Sequence, residues 1–185
     1  MKHAAVWVLL LATISVVMAM EPMADALQQT PRISKANSSI TYTLKHPLHT
    51  VQGSSKEVSS QLLISEHGKQ IQQVTVSVPV RSFDSGNRAR DRDMLQVTEA
   101  DRYPKVAFVS SEITERNGEL SVRGKLSFHG VTREIAFKAR QYTQGDELLV
   151  DGSFELSLDD YQIERPSILT MKVRDRLQVQ FQMVY

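Results

Sequence analysis

Cysteine is absent from this chain. That excludes disulfides, thiolate metal sites, a cysteine nucleophile and a lipidated N-terminal cysteine. An excess of one charge is also missing: 22 Lys and Arg face 21 Asp and Glu, a formal net charge of +1. So balanced a chain lacks the basic footprint of a nucleic-acid binder, and no nucleic-acid partner is expected. Beyond residue 20 no uncharged run approaches the length that spans a bilayer. The phosphate-binding G-x-x-x-x-G-K-[ST], the zinc-binding H-E-x-x-H and the nucleophile elbow G-x-S-x-G are all missing. No catalytic residue and no cofactor is assigned on these grounds.

What is present begins with an address. Lys2 and His3 form a short positive region, and Ala4–Met20 carries no charge. Glu21 and Pro22 break the run, and Ala24-Asp25-Ala26 has the small-x-small pattern of a cleavage site. Residues 1–26 are therefore expected to be a signal peptide, with Ala19 a second candidate for the cleavage point. Residues 27–185 are expected to form one domain, exported to a bacterial periplasm and not stably inserted in the membrane once cleaved. An uncleaved anchor is the competing reading of the same run.

The rest of the chain alternates. Ile40, Tyr42 and Leu44 are spaced by Thr41 and Thr43; Val74, Val76, Val78 and Val80 by Thr75, Ser77 and Pro79. The same period of two runs through Leu120–Phe128, Ile135–Ala139 and Leu177–Tyr185. Asn117-Gly118, His129-Gly130, Gln144-Gly145-Asp146 and Glu66-His67-Gly68-Lys69 separate the runs with residues that tolerate positive φ. The expectation is about eight antiparallel strands, at 38–45, 55–64, 71–80, 105–114, 119–128, 133–143, 148–158 and 172–185. Eight strands with one apolar face bury it best as an antiparallel barrel, with a two-sheet sandwich as the alternative. The third and fourth of these strands are joined by the one long non-β excursion, where Ser85 or Asn87 can cap a short helix running to about Gln96.

Three motifs carry a family resemblance. Phe83–Leu95, FDSGNRARDRDML, then Tyr103–Phe108, YPKVAF, and Gly124–Thr132, GKLSFHGVT, resemble the YceI-like family in order and spacing, and Ile40–His46, ITYTLKH, fits its first strand. The resemblance covers roughly Arg32 to Tyr185. It implies a lipocalin-like barrel, exported to the periplasm, that holds a long isoprenoid-type lipid non-covalently and performs no established catalysis. A quinone with an isoprenoid tail or another long-chain lipid would suit the same lumen, and a homodimer is left open. The sequence departs from the family at Asp93, where His is frequent, and at Lys35-Ala36-Asn37-Ser38, where acidic and His residues are usual.

The candidate lumen residues are Tyr42, Leu44, Val76, Val78, Phe83, Phe108, Val122, Leu126, Phe128, Phe137, Phe154, Val179 and Phe181. Met94, Met171 and Met183 would give an adaptable wall. Arg88 and Arg92, four apart on the expected helix, are the candidate head-group ligands, because a guanidinium fork matches a phosphate. A capped helix with surface ion pairs explains the same residues without a ligand. His46 and His49 lack a nearby third ligand and are read as rim residues, not a metal site. His129 is expected to stabilise its turn, and Asp159-Asp160 to form a turn at a strand end. Three functions remain open from the residues: a lipid-binding barrel, an enzyme acting on a lipid-like substrate, and an envelope interaction module with a filled core.

Overall fold

The computed structural model describes residues 30–65, 70–168 and 171–185. The expected signal peptide, both cleavage points, Trp7 and the turn at Glu66–Lys69 lie outside the described residues. Ten strands form one antiparallel sheet: β1 (Thr30–Ile33), β2 (Ser39–Lys45), β3 (Thr50–Ser55), β4 (Ser59–Ile64), β5 (Ile71–Pro79), β6 (Lys105–Arg116), β7 (Glu119–Phe128), β8 (Val131–Gln144), β9 (Glu147–Ser157) and β12 (Arg176–Val184). A small separate ribbon pairs β10 (Ser167–Ile168) with β11 (Met171–Lys172). One helix, α1 (Arg88–Val97), lies between β5 and β6.

The strand order is β1-β4-β5-β6-β7-β8-β9-β12-β2-β3, so the sheet is a strongly curled half-barrel with β1 and β3 at its edges. This corrects the expectation of eight strands in an unbroken barrel. The expected strand 55–64 begins only at Ser59, and Thr50–Ser55 is a separate strand on β2. The break falls at Lys56-Glu57-Val58, where the chain leaves β2 and joins β5. Although the ladder stops there, hydrogen bonds cross the gap. Ser54 and Asp84 exchange both backbone bonds at 2.9 Å, and Lys35 N–H donates to Val184 O at 2.7 Å, while the 2.8 Å bond from Ser34 N–H to Ser60 O prolongs the β1–β4 ladder.

Alternation gives the sheet one apolar face. In β7 the sequence ELSVRGKLSF places Leu120, Val122, Gly124, Leu126 and Phe128 inward and Ser121, Arg123 and Lys125 outward. Fully burying each such aliphatic side chain stabilises the fold by about 1.5–3 kcal/mol. His129 (φ 50°) and Gly130 (φ 75°) form the two-residue turn from β7 to β8, and Asn117 (φ 54°) with Gly118 (φ 79°) forms that from β6 to β7. The helix starts where expected: Asn87 Oδ1 accepts from Ala89 N at 3.0 Å and Arg90 N at 3.2 Å.

Inward glycines seat aromatic rings. A Cβ on Gly53 would stand 2.6 Å from Tyr42 Cε1, and one on Gly152 would stand 2.7 Å from Phe181 Cζ. One on Gly124 would stand 2.6 Å from Phe108 Cζ and 2.4 Å from the Val109 carbonyl oxygen. Each ring lies on the bare backbone of the next strand, which lets the wall bend tightly.

Candidate functional site: an apolar cavity with a polar rim

The curled sheet encloses a cavity of about 390 Å³. All thirteen candidate lumen residues line it, from Tyr42 and Leu44 on β2 to Val179 and Phe181 on β12. Phe137 is the centre of an aromatic cluster, with ring centroids 5.1 Å from Phe154, 5.5 Å from Phe108 and 5.7 Å from Phe181. Tyr42 and Phe83 meet at 5.6 Å beside them. Met94 and Met183 join the wall, whereas Met171 is exposed outside it.

The two ends of the cavity differ. At one end the lining side chains Leu62, Ile71, Leu120, Met183 and Tyr185 are all buried. Tyr185 Oη and Ser60 Oγ lie 2.5 Å apart there, and burial pushes the Tyr185 phenol up to about 12. Ser38 Oγ, fully buried, accepts from Val184 N at 3.0 Å and donates to Val184 O at 3.4 Å. At the other end, lining residues His49, Asp93, Glu164, Pro166 and Ser167 are exposed, so the cavity reaches the surface here. Four segments build this rim: the β2–β3 turn, α1, the β7–β8 turn and the stretch from Leu158 to Asp175.

The helix turns a different face to the cavity from the one expected. Arg90, Asp93, Met94 and Val97 line it, spaced as one stripe of a helix. Arg88 and Arg92 are exposed and outside the lining. The spacing of four was a sound reason to pair them, but it does not choose the face; Met94 and Val97 do, and Arg90 stands one turn before Met94. Arg90 is held in place: its Nε donates to Ser85 Oγ at 2.9 Å and its Nη2 to Ser85 O at 2.7 Å. Ser85 Oγ donates onward to Asp91 Oδ1 at 2.5 Å. The Tyr42 phenol nearby is raised above its ordinary value, first by burial and then by the Asp91 carboxylate, against the Arg90 charge.

Three histidines stand at the rim. His46 is buried; its Nδ1 accepts from Leu48 N at 3.2 Å, so Nε2 carries the proton and donates to Met171 O at 3.1 Å. His49 stacks obliquely on it at 5.0 Å. His129 reaches beyond its own turn: Nδ1 donates to Tyr161 O at 2.9 Å, and Nε2 faces Glu99 Oε1 at 3.4 Å. Asp159-Asp160 opens the expected short turn, Asp159–Tyr161, and Arg165 Nε pairs with Asp159 at 2.9 Å. Tyr161 is buried against Phe128, and its burial raises the phenol above the ordinary value.

Comparison with known proteins agrees with this architecture. Residues 32–185 match the YceI-like domain. The chain belongs to that family. Among curated relatives, protein YceI of Shigella flexneri is 27% identical over 100 residues, 51% of each chain. Protein YceI of Salmonella newport (strain SL254) is 22% identical over 111 residues, 58% of each chain. The chain thus matches only somewhat more than half the length of these relatives. Among solved structures, BcnA of Burkholderia cenocepacia superposes with a TM-score of 0.74 at 22% identity, covering 83% of this chain and 99% of that one. A domain from Saccharophagus degradans, described as a polyisoprenoid binding domain implicated in plant cell wall breakdown, superposes with a TM-score of 0.67 at 14% identity, covering 85% and 98%. At these identities the likeness is one of fold.

Proposed function

We propose that this YceI-like protein binds the tail of a long isoprenoid-type amphiphile in its cavity and acts as a carrier, store or sensor without chemistry of its own. The observation that carries the reading is the unfilled apolar space itself. About 390 Å³ lies within the range of small-molecule sites, and its interior is lined by Val, Leu, Ile and Phe with the charged groups gathered at one end. A packed structural core would fill that volume, because interiors close to crystal density. The polyisoprenoid-binding description of the Saccharophagus domain with the same fold supports the choice of ligand. The polar end, with Arg90, Asp93, His49 and Glu164, would receive a head group, such as the ring of a quinone or the polar end of another lipid. The uncharged N-terminal run supports export, with the bacterial periplasm as the working compartment.

Native mass spectrometry of protein purified from a periplasmic extract, followed by solvent extraction, tests this. A defined lipid at near one-to-one stoichiometry is the expected result. An unliganded mass that is unchanged after incubation with isoprenoids and fatty acids would overturn it. Peptide sequencing of the exported form tests cleavage after Ala26 or Ala19.

A further inference from the structure

The cavity rim carries a second pattern that lipid binding does not use. Leu48, on the β2–β3 turn, is 57% exposed, and Met171, on the small ribbon, is 36% exposed. His46 ties the two segments together, its Nδ1 accepting from Leu48 N and its Nε2 donating to Met171 O. Around them stand the exposed cations Lys45, Lys172 and Arg174, and the 2.9 Å bond from Arg174 N to Lys45 O brings their segments together. Arg88 and Arg92 are exposed on the helix at the same end of the sheet. Among the described residues none of these five cations lies in an ion pair.

The acids of this end are mostly engaged. Asp159 pairs with Arg165 and Asp160 with Arg133, while Asp175 accepts from Ser157 Oγ and Asp159 N and faces Arg176. Asp93 and Glu164 are the exposed carboxylates on the cavity rim without such partners among the described residues. On the two segments that carry Leu48 and Met171, residues 45–50 and 171–175, Lys45, Lys172 and Arg174 stand against a single carboxylate, Asp175, which is already hydrogen-bonded.

We propose that this rim docks on the surface of an anionic phospholipid bilayer, with Leu48 and Met171 entering the interface and Lys45, Lys172 and Arg174 facing the lipid phosphates. Exposed apolar projections ringed by cations fit such a surface: the apolar groups enter the acyl boundary and the cations meet anionic head groups. The position matters as much as the chemistry. The cations and apolar tips stand at the end where the cavity reaches solvent, so docking would place its mouth against the lipid phase. An acyl or isoprenoid chain could then pass without crossing water.

The test is sedimentation of the whole chain with vesicles of phosphatidylcholine alone or mixed with phosphatidylglycerol, at low and at high salt. Binding is expected on the mixed vesicles only and should weaken in high salt, which shortens the Debye length to a few Å. The double variant Lys45→Ala/Lys172→Ala should lose about 25-fold in partitioning, about five-fold per cation. Lys45→Arg/Lys172→Arg should restore it, and Leu48→Asp should weaken binding at every salt concentration. The apolar N-terminal run is common to all variants, so differences between them report on the rim. Uptake of a soluble fluorescent fatty acid should be unchanged in every variant, which separates docking from the cavity. Equal binding to neutral and mixed vesicles, or no loss in the alanine double variant, would overturn the proposal. Binding to neither vesicle would also overturn it and would leave the rim to a protein partner.

Discussion

Replacing Gly124 by alanine tests the physical account of the wall. Gly124 sits inward on β7 where β6 shifts register between Ser110 and Glu112. The added Cβ would lie 2.4 Å from the Val109 carbonyl oxygen, 2.6 Å from Phe108 Cζ and 2.7 Å from Ser110 Cα. Two of these are backbone atoms of a strand held in its ladder, so they cannot swing aside. Overpacking of this kind costs about 1–3 kcal/mol and sometimes more. The stiffer unfolded chain returns about 0.4–1 kcal/mol of that. A net loss of about 1–2 kcal/mol should lower Tm by roughly 2–8 °C in a protein of this size. Gly53→Ala is the control. The three atoms nearest its Cβ all belong to the Tyr42 ring, at 2.6–2.7 Å, and that ring borders open cavity into which it can rotate. Its cost should be under about 1 kcal/mol. Urea titrations and thermal melts of the two variants beside the parent make the comparison. A Gly124→Ala protein as stable as the parent, or a Gly53→Ala protein that loses more, would refute the reasoning.

Other expectations follow from the same wall. Val179→Trp places a large ring in the cavity and should abolish uptake of a long-chain probe while leaving the unfolding free energy from urea titration within about 1 kcal/mol of the parent, because the ring enters the cavity and not packed neighbours. The raised Tyr185 phenol makes the fold sensitive to alkali. With a folded value of about 12 above the ordinary 10, its contribution is intact below pH 10 and is lost as pH rises toward 12, by about 2–3 kcal/mol. Tyr185→Phe should flatten that alkaline loss in pH-dependent melts, and an unchanged profile would count against it. Asn87→Ala removes the acceptor for Ala89 N and Arg90 N and should speed hydrogen exchange of α1 by about five-fold, the effect of losing about 1 kcal/mol.

The strands were legible where side chains of opposite character alternate. β3 was not, although its burial alternates strictly, because the inward row of TVQGSS is Val51, Gly53 and Ser55. Small and polar residues face inward there to admit the Tyr42 ring and the bond between Ser55 Oγ and Ser82 Oγ at 2.6 Å. A hydrophobic pattern does not reveal such a strand. β1 was missed for a related reason: Thr30–Ile33 is four residues long, contains Pro31, and leaves Ile33 72% exposed. The cavity wall was legible residue by residue, since inward-facing positions are the same for a core and a lumen. The void itself was not, because it depends on how far the sheet curls. The helix face was readable from Met94 and Val97, but the argument from paired arginines obscured it.

The interruption at Lys56-Glu57-Val58 bears on how a bulky chain could enter a wall whose other ladders are continuous. An unbroken hydrogen-bonded cylinder has a fixed circumference, and widening it breaks a whole row of bonds. Here the perimeter is closed through a short hinge and a few bonds, the Ser54–Asp84 pair and the bond from Lys35 to Val184. These can open one at a time while the ladders from β5 to β12 stay intact. The molecule is therefore built as a spring clip: a stiff band with one compliant joint, whose amides should be the first to exchange with solvent.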